Sequence, residues 1–258
     1  MKKIENEIKI ILNLFNTGNF SSVIFNSKKL IRKFPEYVVL YNILGSAYQN
    51  TQKFELAKNI FLKAIKMDPT NIAVMNNLAN VYKNIGEIEL SENLFQKIIN
   101  RKPDYVNAYI NLGNLKRDNN DFEEAINLYK KALTINDKAS VTLYSLALAY
   151  QGLGKFDIAI SYAKRTLAVD PKFTQADMLI SQSFKYKIAD EHFVSMNSKL
   201  NNLEINKEQK INLLFALAKA TEDMGEIDKS FGFLNQGNLL KRSTIDYNIN
   251  KEIKFFNE

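Results

Sequence analysis

The chain of 258 residues contains no cysteine, no tryptophan and a single histidine, and it has only nine glycines and four prolines. The lack of cysteine excludes disulfides, thiolate metal ligands and cysteine nucleophiles. One histidine with scattered carboxylates offers too few ligands for a metal site. So few glycines and prolines are typical of a helical chain with short turns. The sequence therefore predicts an all-α protein without a metal centre.

Long apolar runs are also missing. No segment approaches the ~18 consecutive apolar residues of a membrane span, and Glu5 and Glu7 lie where a signal peptide needs its apolar segment. The net charge is +7, but the densest basic stretch, within 28–33, is too short for a nucleic-acid-binding arm. We therefore expect a cytoplasmic protein that binds neither membranes nor nucleic acids.

The most informative feature of the sequence is a pattern that recurs every 34 residues, an interval that we call one repeat period. One copy runs from Tyr41-x-x-Leu44-Gly45-x-x-Tyr48 to Pro69. Its spacing of i, i+3, i+4 and i+7 predicts amphipathic helices, and a fixed period of this length indicates stacked repeats. Small residues, which let helix axes approach to about 8–10 Å, recur in two columns: Gly45, Ala79, Gly113, Ala147 and Ala57, Ser91, Ala125, Ala159.

This pattern resembles the tetratricopeptide repeat over residues 38–173, and more loosely over 4–37. The resemblance implies antiparallel helix pairs stacked into a right-handed superhelical solenoid, with the first helix of each pair lining a concave groove. Asp137 replaces the closing proline of one repeat and Lys116 replaces an aromatic residue, but neither breaks the register. We predict five repeat units over 1–173 (the first degenerate), an irregular helical insert over 174–210, a sixth unit over 211–244 and a tail over 245–258.

A second resemblance covers about residues 190–247. His192-Phe193-x-x-Met196 and the run from Asn235 to Arg242 are similar to the junction in bacterial proteins that carry repeats ahead of a sulfotransferase domain. That family uses the sulfate donor PAPS, bound by a glycine-rich phosphate loop that this sequence lacks. We therefore expect no catalytic residue and no cofactor in this chain. PAPS would be required only if a catalytic domain followed Glu258, and the chain would then be the arm that presents the substrate.

Asparagines in the predicted groove form the candidate site. Asn77 and Asn111 share one column of the first helices, and Asn80 and Asn114 share the column three residues on. Each amide offers a donor and an acceptor to an extended peptide backbone, and the arrangement resembles the asparagine ladder of repeat domains that guide peptides to glycosyltransferases. Further side chains predicted to line this surface are Asn42, Asn76, Lys83, Arg117 and Gln151.

Three hypotheses about function remain open at this point. The chain is a scaffold that binds an extended peptide or a protein partner, or the arm of a sulfotransferase, or it self-associates through an end that exposes Phe255 and Phe256. A clamp for a terminal carboxylate is disfavoured, because Asn76, Val141 and Ser145 stand where basic residues would be needed. The single histidine, His192, is interpreted as structural because no nucleophile can be paired with it from spacing.

Overall fold

A computed structural model describes residues 2–188, 190–202 and 204–244. Within these ranges the chain forms fourteen α-helices and no β-strand, so the all-α prediction is confirmed. The chain divides into two compact units, one ending at Ile135 and the other beginning at Asn136. None of the described helices is long and apolar enough to cross a membrane.

The first unit contains eight helices: α1 (Lys2–Asn16), α2 (Phe20–Lys33), α3 (Val38–Asn50), α4 (Phe54–Met67), α5 (Ile72–Asn84), α6 (Ile88–Arg101), α7 (Val106–Asp118) and α8 (Phe122–Ile135). Each packs against the next, and the short connections between them make consecutive helices antiparallel. Because α3, α5 and α7 begin one repeat period apart, the period of the sequence is the period of the helix pairs.

A residue with positive φ lies in the turn inside each pair. The φ angle is 74° at Gly18, 58° at Gln52, 80° at Gly86 and 64° at Asn120. Glycine adopts this conformation freely and asparagine tolerates it. Gln52 has neither advantage, so its turn is formed at a conformational cost.

The small residues of the first helices make room for aromatic rings of the second helices. A Cβ on Gly45 would lie 2.5 Å from Cε1 of Phe61, and one on Gly113 would lie 2.6 Å from Cε1 of Tyr129. Both rings are fully buried. The glycines are therefore required by packing, not by backbone conformation.

An ion pair takes the place of the aromatic residue that is missing from the repeat formed by α7 and α8. Lys116 occupies the column of Tyr48 and Tyr82. Its ammonium lies 2.6 Å from Oε1 of Glu92 on the preceding helix. The side chain thus still connects α7 to α6, which explains why this departure leaves the register intact.

The described part of the second unit contains six helices: α9 (Ser140–Gly152), α10 (Phe156–Val169), α11 (Thr174–Ser183), α12 (Glu191–Asn202), α13 (Lys207–Asp223) and α14 (Ile227–Arg242). Pairs α9/α10 and α13/α14 pack as the pairs of the first unit do, whereas α11 packs mainly against α10 and α13. Helix α13 begins with a capping box, in which Asn206 and Gln209 exchange side-chain-to-backbone hydrogen bonds.

The irregular packing of α11 has a cause in the turn that follows it. Ile188 stands one repeat period after Gly154, at the position where the earlier pairs have a positive φ. A β-branched side chain is strongly disfavoured in that conformation, and none of the described residues between α11 and α12 adopts it. Without the tight turn, α12 does not fold back along α11.

The predicted insert over 174–210 contains α11, α12 and the first turn of α13. Helix α11 begins one repeat period after α9, and α12 begins a single position later than one period after α10, so the repeat spacing continues through this segment. The predicted sixth unit over 211–244 contains most of α13 and all of α14. The unit boundaries themselves stay a prediction. The predicted tail over 245–258, with Phe255 and Phe256, lies outside the described residues.

Candidate functional site

Four asparagines on α3, α5 and α7 form two hydrogen-bonded pairs, which we call the amide row. Asn77 Nδ2 donates to Asn42 Oδ1 at 2.9 Å, and Asn111 Nδ2 donates to Asn76 Oδ1 at 2.9 Å. Each bond joins residues 35 positions apart and therefore links the first helix of one pair to the first helix of the next. The four side chains are brought together by the stacking of the pairs.

The same bonds leave acceptor atoms unused. Asn77 Nδ2 also donates to Ser46 Oγ at 3.3 Å, so both of its N–H groups are engaged. In the described structure the side-chain oxygens of Asn77 and Asn111 accept no hydrogen bond. A half-buried amide oxygen without a partner can accept one from a ligand N–H group. The amide row is thus pre-oriented by its own bonds and still has binding capacity.

Asn80 and Asn114 do not extend the row. Asn80 Nδ2 donates to the backbone oxygen of Asn76 at 3.1 Å. Asn114 Oδ1 accepts a hydrogen bond from the hydroxyl of Tyr129 at 2.8 Å. Tyr129 is buried on α8, and a buried phenol needs an acceptor. Asn114 is therefore engaged with its own helix pair, and no hydrogen bond joins it to Asn80 within the described structure.

Three charged side chains lie at the C-terminal ends of α5 and α7. Lys83 and Arg117 both form ion pairs with Asp118, the latter at 3.0 Å. Burial acts to raise the pKa of Asp118, but the hydrogen bonds from Lys83 and Arg117 outweigh it, so the pKa of this carboxyl lies below its ordinary value. Two cations thus share one carboxylate, which leaves an excess of positive charge here.

A cavity of about 450 Å³ lies next to the amide row. Two aromatic side chains, Phe15 and Phe54, form part of its wall. The other lining residues are uncharged and polar: Ser46, Gln49, Asn50, Asn77 and Asn84. Sequence reasoning identified Asn77 and missed Asn50 and Asn84, although these two lie one repeat period apart and so share a column. Of the remaining predicted site residues, Gln151 belongs to the second unit, where its amide donates to Ser183 Oγ at 3.1 Å.

The second unit has a larger cavity, of about 590 Å³, with His192 in its wall. The imidazole contacts the hydroxyl of Tyr186 through Nδ1 at 2.6 Å and a carboxylate oxygen of Asp177 through Nε2 at 3.0 Å. Lys199 donates to both oxygens of Asp177. Burial, reinforced by nearby carboxylates, raises the pKa of Tyr186, so the phenol keeps its proton. Both ring nitrogens of His192 are occupied, which favours the structural interpretation of this residue.

The sequence matches family models described as tetratricopeptide repeat over residues 38–71, 70–138 and 107–172. Together these matches span more than half of the chain. Comparison with curated proteins found no match. None of these findings supports the resemblance of residues 190–247 to sulfotransferase proteins, which stays a prediction.

Solved structures with the same fold cover most of the chain. A tetratricopeptide repeat protein from Parabacteroides merdae is 17% identical with a TM-score of 0.65, and the match covers 96% of this chain and 95% of that one. MamA is 24% identical with a TM-score of 0.52, covering 66% and 93%. MamA from Desulfovibrio magneticus, from residue 41 to its end, is 16% identical with a TM-score of 0.56, covering 67% and 98%. At these identities the likeness is one of fold.

Proposed function

Because the chain belongs to the tetratricopeptide repeat family, whose stacked helix pairs commonly form protein-binding surfaces, we propose that it is a non-catalytic scaffold. Its ligand is an extended peptide or a segment of a partner protein, held on the surface formed by α3, α5 and α7. The observation that carries this proposal is the amide row, in which Asn77 and Asn111 are fixed by hydrogen bonds yet keep unused acceptor oxygens.

Backbone recognition explains why amides serve here. A peptide in extended conformation presents N–H and C=O groups at regular intervals, whatever its side chains are. Asn77 and Asn111 lie one helix pair apart, a distance of about 8–10 Å, which an extended chain covers in about three residues. Because the row is already ordered, little side-chain entropy is lost when a ligand binds.

The test is the double variant Asn77→Ala with Asn111→Ala, probed with an array of random twelve-residue peptides blocked at both ends. Loss of two hydrogen bonds of about 1 kcal/mol each predicts a roughly tenfold to thirtyfold weaker binding of the peptides that the wild-type chain retains. The helical circular dichroism spectrum is expected to stay unchanged, because both side chains are only half-buried.

The matched control is Asn93→Ala with Asn127→Ala. These asparagines are also one repeat period apart, but they are exposed on the second helices α6 and α8. The control is expected to bind the array as the wild-type chain does. Equal binding by the Asn77/Asn111 variant, or a wild-type chain that retains no peptide, would overturn the proposal.

A further inference from the structure

We infer that the α3–α5–α7 surface selects a particular ligand pattern: an uncharged, hydrogen-bonding side chain about three residues from an acidic one. This inference rests on the proposed function and adds the identity of the side chains. It comes from the juxtaposition of the uncharged cavity at Asn77 with the positive cluster at Lys83 and Arg117.

The cavity favours an uncharged polar side chain. Its polar lining consists of amides and one hydroxyl, and no charged side chain borders it among the described residues. A carboxylate or ammonium group placed there would lose part of its hydration without gaining a counter-ion. A glutamine, asparagine, serine or threonine would instead find donors and acceptors among the polar lining residues.

The neighbouring cluster favours an acidic side chain. Lys83 and Arg117 share the single carboxylate of Asp118. Neither cation forms an ion pair with a second carboxylate among the described residues. Both cations are partly buried, with side-chain exposures of 26% and 24%, so the excess charge is screened less than at an open surface. A guanidinium has five N–H donors, and the bond from Arg117 to Asp118 uses one of them.

The spacing follows from the repeat. Asn50, Asn84 and Asp118 follow one another at intervals of one repeat period and lie at the ends of α3, α5 and α7. The cavity lies between the first two of these helix ends, and the Lys83–Asp118 ion pair joins the last two. The cavity and the positive cluster are therefore separated by the distance between neighbouring first helices, about 8–10 Å. An extended chain covers this distance in about three residues.

The test uses pools of random ten-residue peptides with blocked ends and one fixed pair of residues. The pools carry Gln-x-x-Glu, Gln-x-x-Lys and Gln-x-x-Gln, each also in reverse order, since the direction of the bound chain is unspecified. We expect the glutamate pool of one order to be retained about threefold to fivefold more strongly than the matching lysine pool. Raising the ionic strength should reduce this preference.

The variant Lys83→Met with Arg117→Met should abolish the preference for glutamate while still retaining the Gln-x-x-Gln pool. The control Lys130→Met with Lys131→Met, at exposed positions on α8, should keep the preference. Equal retention of the glutamate and lysine pools by the wild-type chain would overturn this inference and leave the proposed function standing. If no pool bound better to the wild-type chain than to the Asn77/Asn111 variant, the proposed function would fail as well.

Discussion

Lys199 on α12 donates hydrogen bonds to both carboxylate oxygens of Asp177 on α11, at 2.7 and 2.9 Å, with side-chain exposures of only 10% and 0%. This buried ion pair connects two helices that lack the tight turn of the other pairs. Breaking one partner of such a pair leaves an uncompensated charge in the interior. The pair therefore specifies where α12 lies in the second unit.

Replacement of Asp177 by asparagine is expected to lower the free energy of unfolding by about 3–5 kcal/mol, because the ammonium of Lys199 stays buried without its counter-ion. Urea denaturation followed by circular dichroism measures the loss. The double variant Asp177→Leu with Lys199→Met removes both charges and should recover much of it. An unchanged unfolding midpoint for Asp177→Asn would show that the pair contributes nothing.

The neutral imidazole of His192 is expected to be the tautomer that carries its proton on Nε2. Burial raises the pKa of Tyr186, so its hydroxyl donates to Nδ1, and Nε2–H then donates to Asp177. Since this is the only histidine of the chain, one set of imidazole signals in a long-range ¹H–¹⁵N spectrum reports the tautomer. Tyr186→Phe should allow the Nδ1–H form to appear. A wild-type spectrum dominated by Nδ1–H would contradict the network.

Gly45→Ala is expected to lower the free energy of unfolding by about 1–3 kcal/mol, because the new Cβ would lie 2.5 Å from Cε1 of the buried Phe61. Gly232→Ala on α14 is the control, since a Cβ there meets no atom within 4 Å. That change should raise the free energy of unfolding by about 0.5–1 kcal/mol through helix propensity. Chemical denaturation of both variants tests whether the two changes in the free energy of unfolding have opposite signs.

Ser91→Ala is expected to raise the free energy of unfolding by about 1 kcal/mol. The hydroxyl of Ser91 is fully buried without a hydrogen-bond partner, and the equivalent position holds alanine in the neighbouring repeats, as at Ala57 and Ala125. Ser230→Ala is the control, because its buried hydroxyl donates to the oxygen of Ala218 at 2.8 Å. The midpoint temperature of thermal unfolding should therefore rise for Ser91→Ala and fall for Ser230→Ala.

The contribution of Asp118 to stability is expected to depend on pH. Because the folded-state pKa of this carboxyl lies below the ordinary value of 3.8, its stabilising effect is fully present above about pH 4 and is lost as the pH falls through the folded-state pKa. Since 42% of the side chain is exposed, screening limits the effect to roughly 0.5 kcal/mol. Asp118→Asn should thus be less stable than wild type at pH 7, and the difference should shrink as the pH is lowered below about 4, as measured by urea denaturation. If the difference in stability grew on acidification, the lowered pKa inferred for Asp118 would be wrong.

The limits of sequence reasoning are clearest at the asparagines. The period correctly placed Asn77 and Asn111 on the first helices, but it paired residues one full period apart. The hydrogen bonds instead join residues 35 positions apart, Asn42 with Asn77 and Asn76 with Asn111. Asn114 looks equivalent to Asn80 in sequence, yet a buried tyrosine hydroxyl takes its oxygen. Which atoms of an amide remain available depends on such neighbours, and column spacing does not contain that information.

The sequence by itself determined the helical class and the 34-residue period. These are local properties, set by apolar spacing. Only the tertiary structure decided which side chains meet across helix pairs. The uncharged cavity beside Asn77, the shared carboxylate of Asp118 and the buried pair of Asp177 with Lys199 all join residues far apart in the chain. Their contacts depend on rotamers and on helix packing, which no periodicity encodes.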